Sequence, residues 1–421
     1  MFSSTNQASN SSLKTLKLKI EKIVFGGSGL SRNHGCVVFT PFVAPGEEIE
    51  ATILKSKKDY KLAKILKILT ISPDRRKPPC PYFTKCGGCQ LQHLEAKAQL
   101  KIKQGFLEEA FGTPPPIIPS PKTLYYRSHL RFNLEKQTYG FKACDNTSLV
   151  EVNSCSLFLP EDSSFFTVLR SHIKKLSENG SFRIFKGQSE TFVLAFSFPR
   201  KLPKNRRSFI TALMKALPIR GIAMKCPHGE EHSGDTSLQE TICGLNMSFS
   251  PYGFIQNNKE LSATLYETLV KLANPKGKTI LDLYSGIGTT SLLLAKAGGS
   301  VTGVEESSAT VKCANLNKKR NHIEGVSFLH MSAEEALKKP SNVDLVVVNP
   351  PRTGLSKDVR EALVHLEPHE ILYISCMPST LKRDIKDLKN YIYNEMIAFD
   401  LFPQTTHLET LVKMTKKNFN R

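Results

Sequence analysis

Apolar and polar positions alternate along the first part of the chain. Between residues 13 and 72, apolar side chains alternate with lysines and other polar residues, most clearly at 16–20. This period of two is typical of half-buried strands, and the Gly- and Pro-containing segments 26–29 and 44–47 are turn signals. Short strands separated by regular turns predict a small basic barrel of the OB-like type over residues 13–72.

The middle of the chain has a weaker pattern. Residues 73–79 are rich in proline and charged residues and resemble a linker. Residues 191–196 are typical of a strand, and residues 208–217 are typical of a helix. We expect residues 73–245 to form a central α+β domain, and the pattern assigns no chemistry to its second half.

The last region has the strongest pattern. Residues 279–284 form a short apolar run, the Gly-rich segment 285–289 follows, and residues 291–297 have a helical pattern. Further apolar strands alternate with helical stretches up to the end of the chain. This order predicts an α/β domain over residues 246–421, with a doubly wound, Rossmann-like parallel sheet that binds a nucleotide-like ligand at the Gly-rich turn.

Four chemically useful side chains occupy the predicted carboxyl ends of these strands. Tyr284, Glu305, Asn349 and Cys376 each end an apolar run. Ligands of such sheets bind outside the carboxyl ends of the strands, so one crevice could hold all four. The carboxylate of Glu305, about 20 residues past the Gly-rich turn, is suited to binding both hydroxyls of a ribose.

A cysteine cluster lies near the start of the central domain. Cys80, Cys86 and Cys89 need a fourth partner, for which Cys155 is the best candidate and Cys144 the second. Four thiolates suit a [4Fe–4S] cluster or, less well, a tetrahedral zinc ion. Unligated thiols that cluster by chance are the alternative.

Charge indicates the kind of partner. The formal net charge is +20 over 421 residues, which favours a polyanion such as RNA, although a solvated basic surface is the plainer interpretation. Residues 1–12 are polar and predict a disordered lead-in without the apolar stretch of a signal peptide. No apolar run is long enough to cross a membrane. We expect a cytoplasmic monomer.

Two residues could carry covalent chemistry. A cysteine thiolate that adds to carbon 6 of uracil activates carbon 5, and a base must then remove the carbon 5 proton. Cys376 is the candidate nucleophile, and its pKa would be lowered if it lies near a helix N-terminus or a cation. Glu409, in the segment 402–410, is the candidate base. The alternatives are a small buried cysteine and a surface carboxylate.

Taken together, the Gly-rich turn, Asn-Pro-Pro-Arg at 349–352, Ser-Cys-Met-Pro at 375–378 and the segment 402–410 resemble the RNA uracil-5-methyltransferase family. The cysteines and the N-terminal barrel resemble its 23S ribosomal RNA branch, which has a TRAM domain and a [4Fe–4S] cluster. The resemblance implies methylation of a uridine carbon 5 in RNA, more in keeping with ribosomal than transfer RNA. It implies Cys376 as nucleophile and Glu409 as base. The implied contacts with S-adenosylmethionine are Gln256, Tyr284, Glu305 and Asn349, and the implied cluster ligands are Cys80, Cys86, Cys89 and Cys155.

This chain departs from the family pattern at three positions. Asn349 and Met377 stand where the family usually has Asp and Asn, and Gln404 stands where it often has His. Two other functions remain open, namely methylation of an exocyclic amine on RNA and RNA binding without catalysis. An amine methyltransferase usually has an aromatic residue where Arg352 follows Asn-Pro-Pro, and neither alternative needs Cys376. A nicotinamide dehydrogenase would share only the Gly-rich turn and Glu305.

Overall fold

The computed structural model describes residues 15–158, 163–187, 191–338 and 342–417. The predicted disordered lead-in at residues 1–12 lies outside them. The chain divides into two compact units. Unit 1 comprises residues 1–84, 89–102 and 404–406, and unit 2 comprises residues 85–88, 103–403 and 407–421.

The strands of unit 1 lie within the segment for which the sequence predicts a barrel. The described strands pair in the order β1-β5-β6-β4-β3-β2, so that β1 and β2 lie at the edges. Leu18, Val38, Ile49 and Ala63 are buried in the core of this sheet because apolar positions alternate along its strands. Its strands are β1 (Thr15–Lys19), β2 (Lys22–Ile23), β3 (Ser28–Asn33), β4 (Cys36–Pro41), β5 (Glu48–Ser56) and β6 (Tyr60–Thr70).

Two sheets and a hairpin make up the described strands of unit 2. The central sheet pairs in the order β10-β9-β8-β11-β12-β13-β14, and β15 pairs with β16 in the hairpin. The central strands are β8 (His129–Glu135), β9 (Thr138–Lys142), β10 (Leu149–Glu151), β11 (Gly180–Lys186), β12 (Phe192–Ser197), β13 (Ile219–Cys226) and β14 (Gly229–Gly234). The hairpin strands are β15 (Leu238–Ile242) and β16 (Leu245–Phe249).

Aromatic rings fill the core of the central sheet. Phe182 lies between Phe132 and Phe196, with ring centroids 5.2 and 5.0 Å away, respectively. All three side chains are buried, and they lie opposite one another on neighbouring strands. Stacked cross-strand rings of this kind stabilise a sheet beyond the area that they bury. On the opposite face of the same strands, Phe185, Val193 and Ala195 join another buried core.

The second sheet of unit 2 pairs in the order β19-β18-β17-β20-β21-β23-β22-β7 among the described strands. The strands from β17 to β21 are parallel, whereas β23 runs antiparallel to both β21 and β22. Its strands are β7 (Ile117–Ile118), β17 (Thr279–Leu283), β18 (Ser300–Glu305), β19 (Val326–His330), β20 (Leu345–Val348), β21 (Glu370–Ser375), β22 (Tyr391–Phe399) and β23 (Glu409–Lys416). The α/β prediction is confirmed, but the sheet is mixed and not purely parallel.

Apolar side chains are buried on both faces of this sheet. Along β20, Leu345 and Val347 join one core, and Val346 and Val348 join the other. Strands covered on both faces must be apolar throughout, which explains the runs that the sequence shows. The described helices are α1 (Ala96–Phe111), α2 (Ser163–Ile173), α3 (Arg206–Ala216), α4 (Lys259–Ala273), α5 (Thr289–Lys296), α6 (Ser308–Arg320), α7 (Ala333–Leu337), α8 (Lys357–Leu366) and α9 (Pro378–Asp387). None of these helices is long and apolar enough to span a bilayer.

Candidate active site

The Gly-rich turn links the central strand β17 to helix α5. Tyr284 begins the turn with a φ of 61°, and Gly288 caps the helix with a φ of 88°. A Cβ atom on Gly288 would lie 2.6 Å from the Phe328 ring, so this position admits only glycine without rearrangement. The tight turn leaves the first N–H groups of α5 open toward the carboxyl end of the sheet.

A pocket lies at this end of the sheet, with about 970 Å³ of space that includes its opening to solvent. The four residues predicted to contact a cofactor, Gln256, Tyr284, Glu305 and Asn349, all line it. They come from the segment before α4 and from the ends of β17, β18 and β20.

The carboxylate of Glu305 is held in place by backbone donors. One oxygen accepts a hydrogen bond from Gly286 N at 3.2 Å, and the other accepts one from Ser307 N at 2.9 Å. Both donors lie in the loops that follow β17 and β18. These two hydrogen bonds fix the orientation of the carboxylate at the pocket.

A second cavity extends past Glu305. Tyr284 and Glu305 line both cavities, and the second also includes Met331, Ala333 and Leu355. The two together form a long crevice across the carboxyl ends of β17, β18 and β20. An extended ligand with a planar group at one end would fit such a crevice.

Asp282 is a pocket residue that the sequence analysis missed. Its carboxyl group is buried in the pocket wall and accepts a hydrogen bond from Ser291 Oγ at 2.5 Å. Burial raises its pKa to about 7, against the opposing effect of Ser291. An acid inside an otherwise apolar strand was the available signal, since charged groups are rarely buried without a partner or a function.

Cys376 and Glu409 are brought together by strand pairing. Cys376 follows the last residue of β21, and Glu409 is the first residue of β23. The two strands are antiparallel, with Ser375 opposite Thr410. The candidate nucleophile and base are therefore neighbours, although 33 positions separate them in the chain.

Burial raises the pKa of both groups. The pKa of Glu409 rises to about 8, although the Arg352 guanidinium opposes this. The pKa of the Cys376 thiol rises to about 11, because burial and the charge of Glu409 outweigh the attraction of Arg352. In the free protein, Arg352 acts in the expected direction but does not bring the pKa of Cys376 below its ordinary value. Cys376 does precede α9, which begins with Pro378 as expected, but burial has the larger effect.

Arg352 is the cation of this site. Its charge acts on Cys376 and Glu409, and it also lowers the pKa of His407, which burial brings to about 4. The sequence analysis noted Arg352 only because it follows Asn-Pro-Pro. His407 was not singled out, although it lies in the same segment as Glu409. Short-range patterns did not indicate that these groups meet.

The loop that carries Arg352 is anchored by the buried carboxylate of Asp384. Backbone N–H and side-chain donors from three elements converge on this group, which the sequence analysis did not identify. The donors are Leu355 N at 2.8 Å, the Tyr373 hydroxyl at 2.7 Å, Arg360 Nη1 at 3.2 Å and Arg383 Nη2 at 2.7 Å. Arg383 Nη2 also donates to the Thr353 carbonyl at 2.9 Å. Asp384 thus connects the loop after β20 to β21 and α9.

The predicted metal centre is not assembled in the described part of the chain. Within those residues, no group of three or more His, Cys, Asp or Glu side chains is arranged to hold a metal ion. Cys80 and Cys89 belong to unit 1, whereas Cys86 and Cys155 belong to unit 2. All four side chains are half-buried. The thiol of the alternative ligand Cys144 donates to the carbonyl of Cys86 at 3.3 Å.

Comparison with known proteins gives the family. The model of the tRNA (uracil-5-)-methyltransferase family matches residues 242–417. An uncharacterized RNA methyltransferase of Protochlamydia amoebophila is 38% identical over 94% of this chain and 97% of its own. The chain belongs to the RNA uracil-5-methyltransferase family. It is thus an enzyme that acts on RNA with S-adenosylmethionine as methyl donor, as the sequence predicts.

Two archaeal relatives extend this family assignment. A tRNA (uracil(54)-C(5))-methyltransferase of Pyrococcus furiosus is 30% identical over 94% of this chain and 98% of its own. The crystal structure of the Pyrococcus abyssi tRNA (uracil-54, C5)-methyltransferase, in complex with S-adenosyl-L-homocysteine, superposes with a TM-score of 0.78. It is 26% identical, and the match covers 95% of this chain and 100% of that one.

Proposed function

We propose that this enzyme methylates carbon 5 of a uridine in RNA through a transient covalent bond between Cys376 and carbon 6. The observation that carries the proposal is the pairing of Cys376 with Glu409 beside the cofactor pocket. The charge of Glu409 acts both on Cys376 and on Tyr266, which lines that pocket. A nucleophile, a base and a pocket for the methyl donor thus adjoin one another, as this reaction requires.

The pocket fits S-adenosylmethionine. Glu305 is positioned for the ribose hydroxyls, and Asp282 provides a carboxyl group for a cationic ligand. The Ser285 hydroxyl oxygen is buried in the pocket wall and has no hydrogen-bond partner among the described residues. A bound ligand would supply that partner. When bound, S-adenosylmethionine provides an electrophilic methyl group.

The two catalytic residues act in sequence. Cys376 loses its proton to solvent, and its thiolate adds to carbon 6 of the uracil, which makes carbon 5 nucleophilic. Glu409 releases its own proton to solvent, and after carbon 5 has taken up the methyl group the resulting carboxylate removes the carbon 5 proton. The thiolate of Cys376 is then eliminated, which restores the aromatic base. A base with a pKa of about 8 is well matched to a reaction at neutral pH.

Arg352 assists the nucleophile in this proposal. Its guanidinium favours the thiolate form of Cys376 and opposes the effects of burial and of Glu409. At neutral pH, Glu409 is largely protonated in the free enzyme, so its repulsion of the thiolate is reduced. Arg352 is exposed, and RNA that covers it would strengthen its influence by excluding water.

The choice of RNA substrate rests on the first part of the chain. We infer ribosomal RNA, because the cysteine spacing and the N-terminal strands resemble the ribosomal branch of the family. In this proposal the sheet of unit 1 is an OB-like TRAM barrel that binds RNA, residues 73–245 form the central domain, and the enzyme is a cytoplasmic monomer. The archaeal relatives act on uridine 54 of transfer RNA, so both RNA pools belong in the test.

A [4Fe–4S] cluster remains a proposal about Cys80, Cys86, Cys89 and Cys155. The donor set, four thiols outside any disulfide, fits the chemistry of the cluster, whereas the described arrangement does not group them. No catalytic step depends on it. Iron and sulfide analysis of protein purified without oxygen tests the proposal. Substoichiometric iron, or zinc in its place, would contradict it.

The decisive experiment measures modified nucleosides by mass spectrometry. Unmodified ribosomal and transfer RNA are incubated with S-adenosylmethionine and wild type, Cys376→Ala or Cys36→Ala, a matched control in unit 1. We expect 5-methyluridine with wild type and the control, and none with Cys376→Ala. Methyl groups on adenine or cytosine amines, or activity that persists in Cys376→Ala, would refute the covalent mechanism. RNA binding without any methylation would favour the non-catalytic alternative.

A further inference from the structure

Two arginines lie opposite each other on the face of the central sheet that points away from the aromatic core. Arg131 on β8 and Arg183 on β11 are direct cross-strand partners in the antiparallel register. Their neighbours Phe132 and Phe182 point into the aromatic core, so both arginine side chains project from the opposite face. Like charges directly opposite each other destabilise a sheet. A pair of this kind therefore calls for a compensating anion.

No carboxylate compensates this pair in the part of the chain that the structure describes. Neither arginine takes part in an ion pair there, in contrast to Arg206 and Arg220, which pair with Glu231 and Asp235. Arg183 Nη1 donates only to the carbonyls of Pro251, at 3.4 Å, and Gly253, at 2.5 Å. Arg131 Nη2 reaches Ser181 Oγ at 3.4 Å and is otherwise exposed. Most of the ten guanidinium N–H groups remain available.

Surrounding charges reinforce the positive potential. Burial lowers the pKa of Arg183, and the charge of Arg131 lowers it further. His129, on the same face of β8, has its pKa lowered to about 3 by burial and then by Arg183, Arg127 and Lys259. It is therefore neutral and adds no charge of its own. The field at this face thus comes from fixed guanidinium and ammonium groups.

The pair is tied to the segment that enters the cofactor pocket. Arg183 binds the carbonyls just before Phe254, an exposed side chain at the pocket wall. At the other end of this segment, His129 N donates to Asn257 Oδ1 at 3.2 Å. Gln256 lies between these two attachments and lines the pocket. Arg183 and His129 thus hold the two ends of the segment that carries Gln256 into the cofactor pocket.

We propose that Arg131 and Arg183 form a binding site for a backbone phosphate of the substrate RNA, next to the nucleotide that enters the active site. This deepens the proposed function and rests on it. Two guanidinium groups on one rigid sheet match the geometry of a phosphate diester, which accepts several N–H donors at once. Such a contact orients the RNA strand without reading its sequence. Arg183 also supports the loop, so Arg131 is the cleaner position for a test.

The test measures how salt affects RNA binding. A fluorescein-labelled oligouridine is titrated with wild-type enzyme, Arg131→Gln or the matched control Arg206→Gln, without S-adenosylmethionine. Loss of one phosphate contact on a single strand should reduce the slope of log K against log salt by about 0.7. Affinity should then fall about eightfold at about 50 mM salt and about threefold at about 200 mM salt. Arg206→Gln should leave the slope unchanged.

A double-mutant cycle sharpens the result. If both guanidinium groups hold one phosphate, Arg131→Gln and Arg183→Gln should cost less together than the sum of their separate effects. Thermal melting checks that each variant is folded. A slope for Arg131→Gln equal to that of Arg206→Gln would overturn the phosphate site even if 5-methyluridine is formed. A reduced slope would support the site even if methylation occurs elsewhere on the RNA.

Discussion

Glu409 should make the free enzyme less stable as the pH rises. Its side chain is 7% exposed, and burial raises its pKa from 4.5 to about 8. The folded protein therefore holds a proton that the unfolded chain releases above about pH 4.5. The stabilisation from this proton is complete below pH 4.5 and is lost progressively as the pH rises toward 8. Glu409→Gln keeps the shape of the side chain but cannot ionise.

The size of the effect follows from the shift. The pKa of Glu409 differs by about 3.5 between the folded and the unfolded protein. At about 1.36 kcal/mol for each pH unit, this difference sets an upper limit of about 5 kcal/mol on the stability lost at high pH. Entry of water beside the charged carboxylate reduces this, so we expect Glu409→Gln to gain about 2–5 kcal/mol over wild type at high pH. Asp282, whose pKa burial raises to about 7, is present in both proteins. Its contribution to the pH dependence of stability is therefore the same in both and cancels in the difference.

Urea unfolding of wild type and Glu409→Gln at about pH 5 and about pH 9 measures the difference. The exposed substitution Glu361→Gln is the matched control and should show no pH-dependent gain. If the stability difference between Glu409→Gln and wild type were the same at both pH values, Glu409 would not be buried with a raised pKa. The assignment of Glu409 as a base tuned to neutral pH would then lose its physical support.

Three further predictions concern the surroundings of the site. Arg352→Gln should raise the pKa of the Cys376 thiol and slow its alkylation by iodoacetamide at pH 8 about threefold, and an unchanged rate would show that Arg352 does not act on the thiol. Lys103→Met should lower the free energy of unfolding in urea by about 3–5 kcal/mol, because it leaves the buried carboxylate of Asp400 unpaired. The control Lys122→Met removes an exposed ion pair and should lower it by less than about 1 kcal/mol. Equal losses in the two variants would contradict this prediction. Asp384→Asn should cost about 3 kcal/mol by the same assay, and a change below about 1 kcal/mol would mean that the loop after β20 is held by other contacts.

Sequence patterns predicted best those structural features that depend on residues close together in the chain. The strand, Gly-rich turn and helix at 279–297 are determined by neighbouring residues, and so is the start of α9 at Pro378. Parallel strands that end at one edge bring Tyr284, Glu305 and Asn349 together, because the position of each strand end follows from its own apolar run. These features were predicted because each depends on fewer than about 20 consecutive residues.

Other features depend on strand order and were not predicted. The sequence does not show that β23 lies antiparallel between β21 and β22, or that β7 joins the same sheet from outside residues 246–421. The meeting of Cys376 and Glu409 depends on that order. The raised pKa of Cys376 was missed for the same reason, since burial and the charge of Glu409 arise only in the folded protein.

The sequence by itself determined the class of the molecule. Apolar periodicity, the Gly-rich turn and the residue types at strand ends specify an α/β methyltransferase domain, and the motifs identify the family. The tertiary structure decided which charges face one another: Arg352 with Cys376 and Glu409, Asp384 with the donors of three elements, and Arg131 with Arg183. Periodicity reports only which face of an element is buried. Electrostatic energy depends on distances between elements, and these are fixed only when the chain has folded.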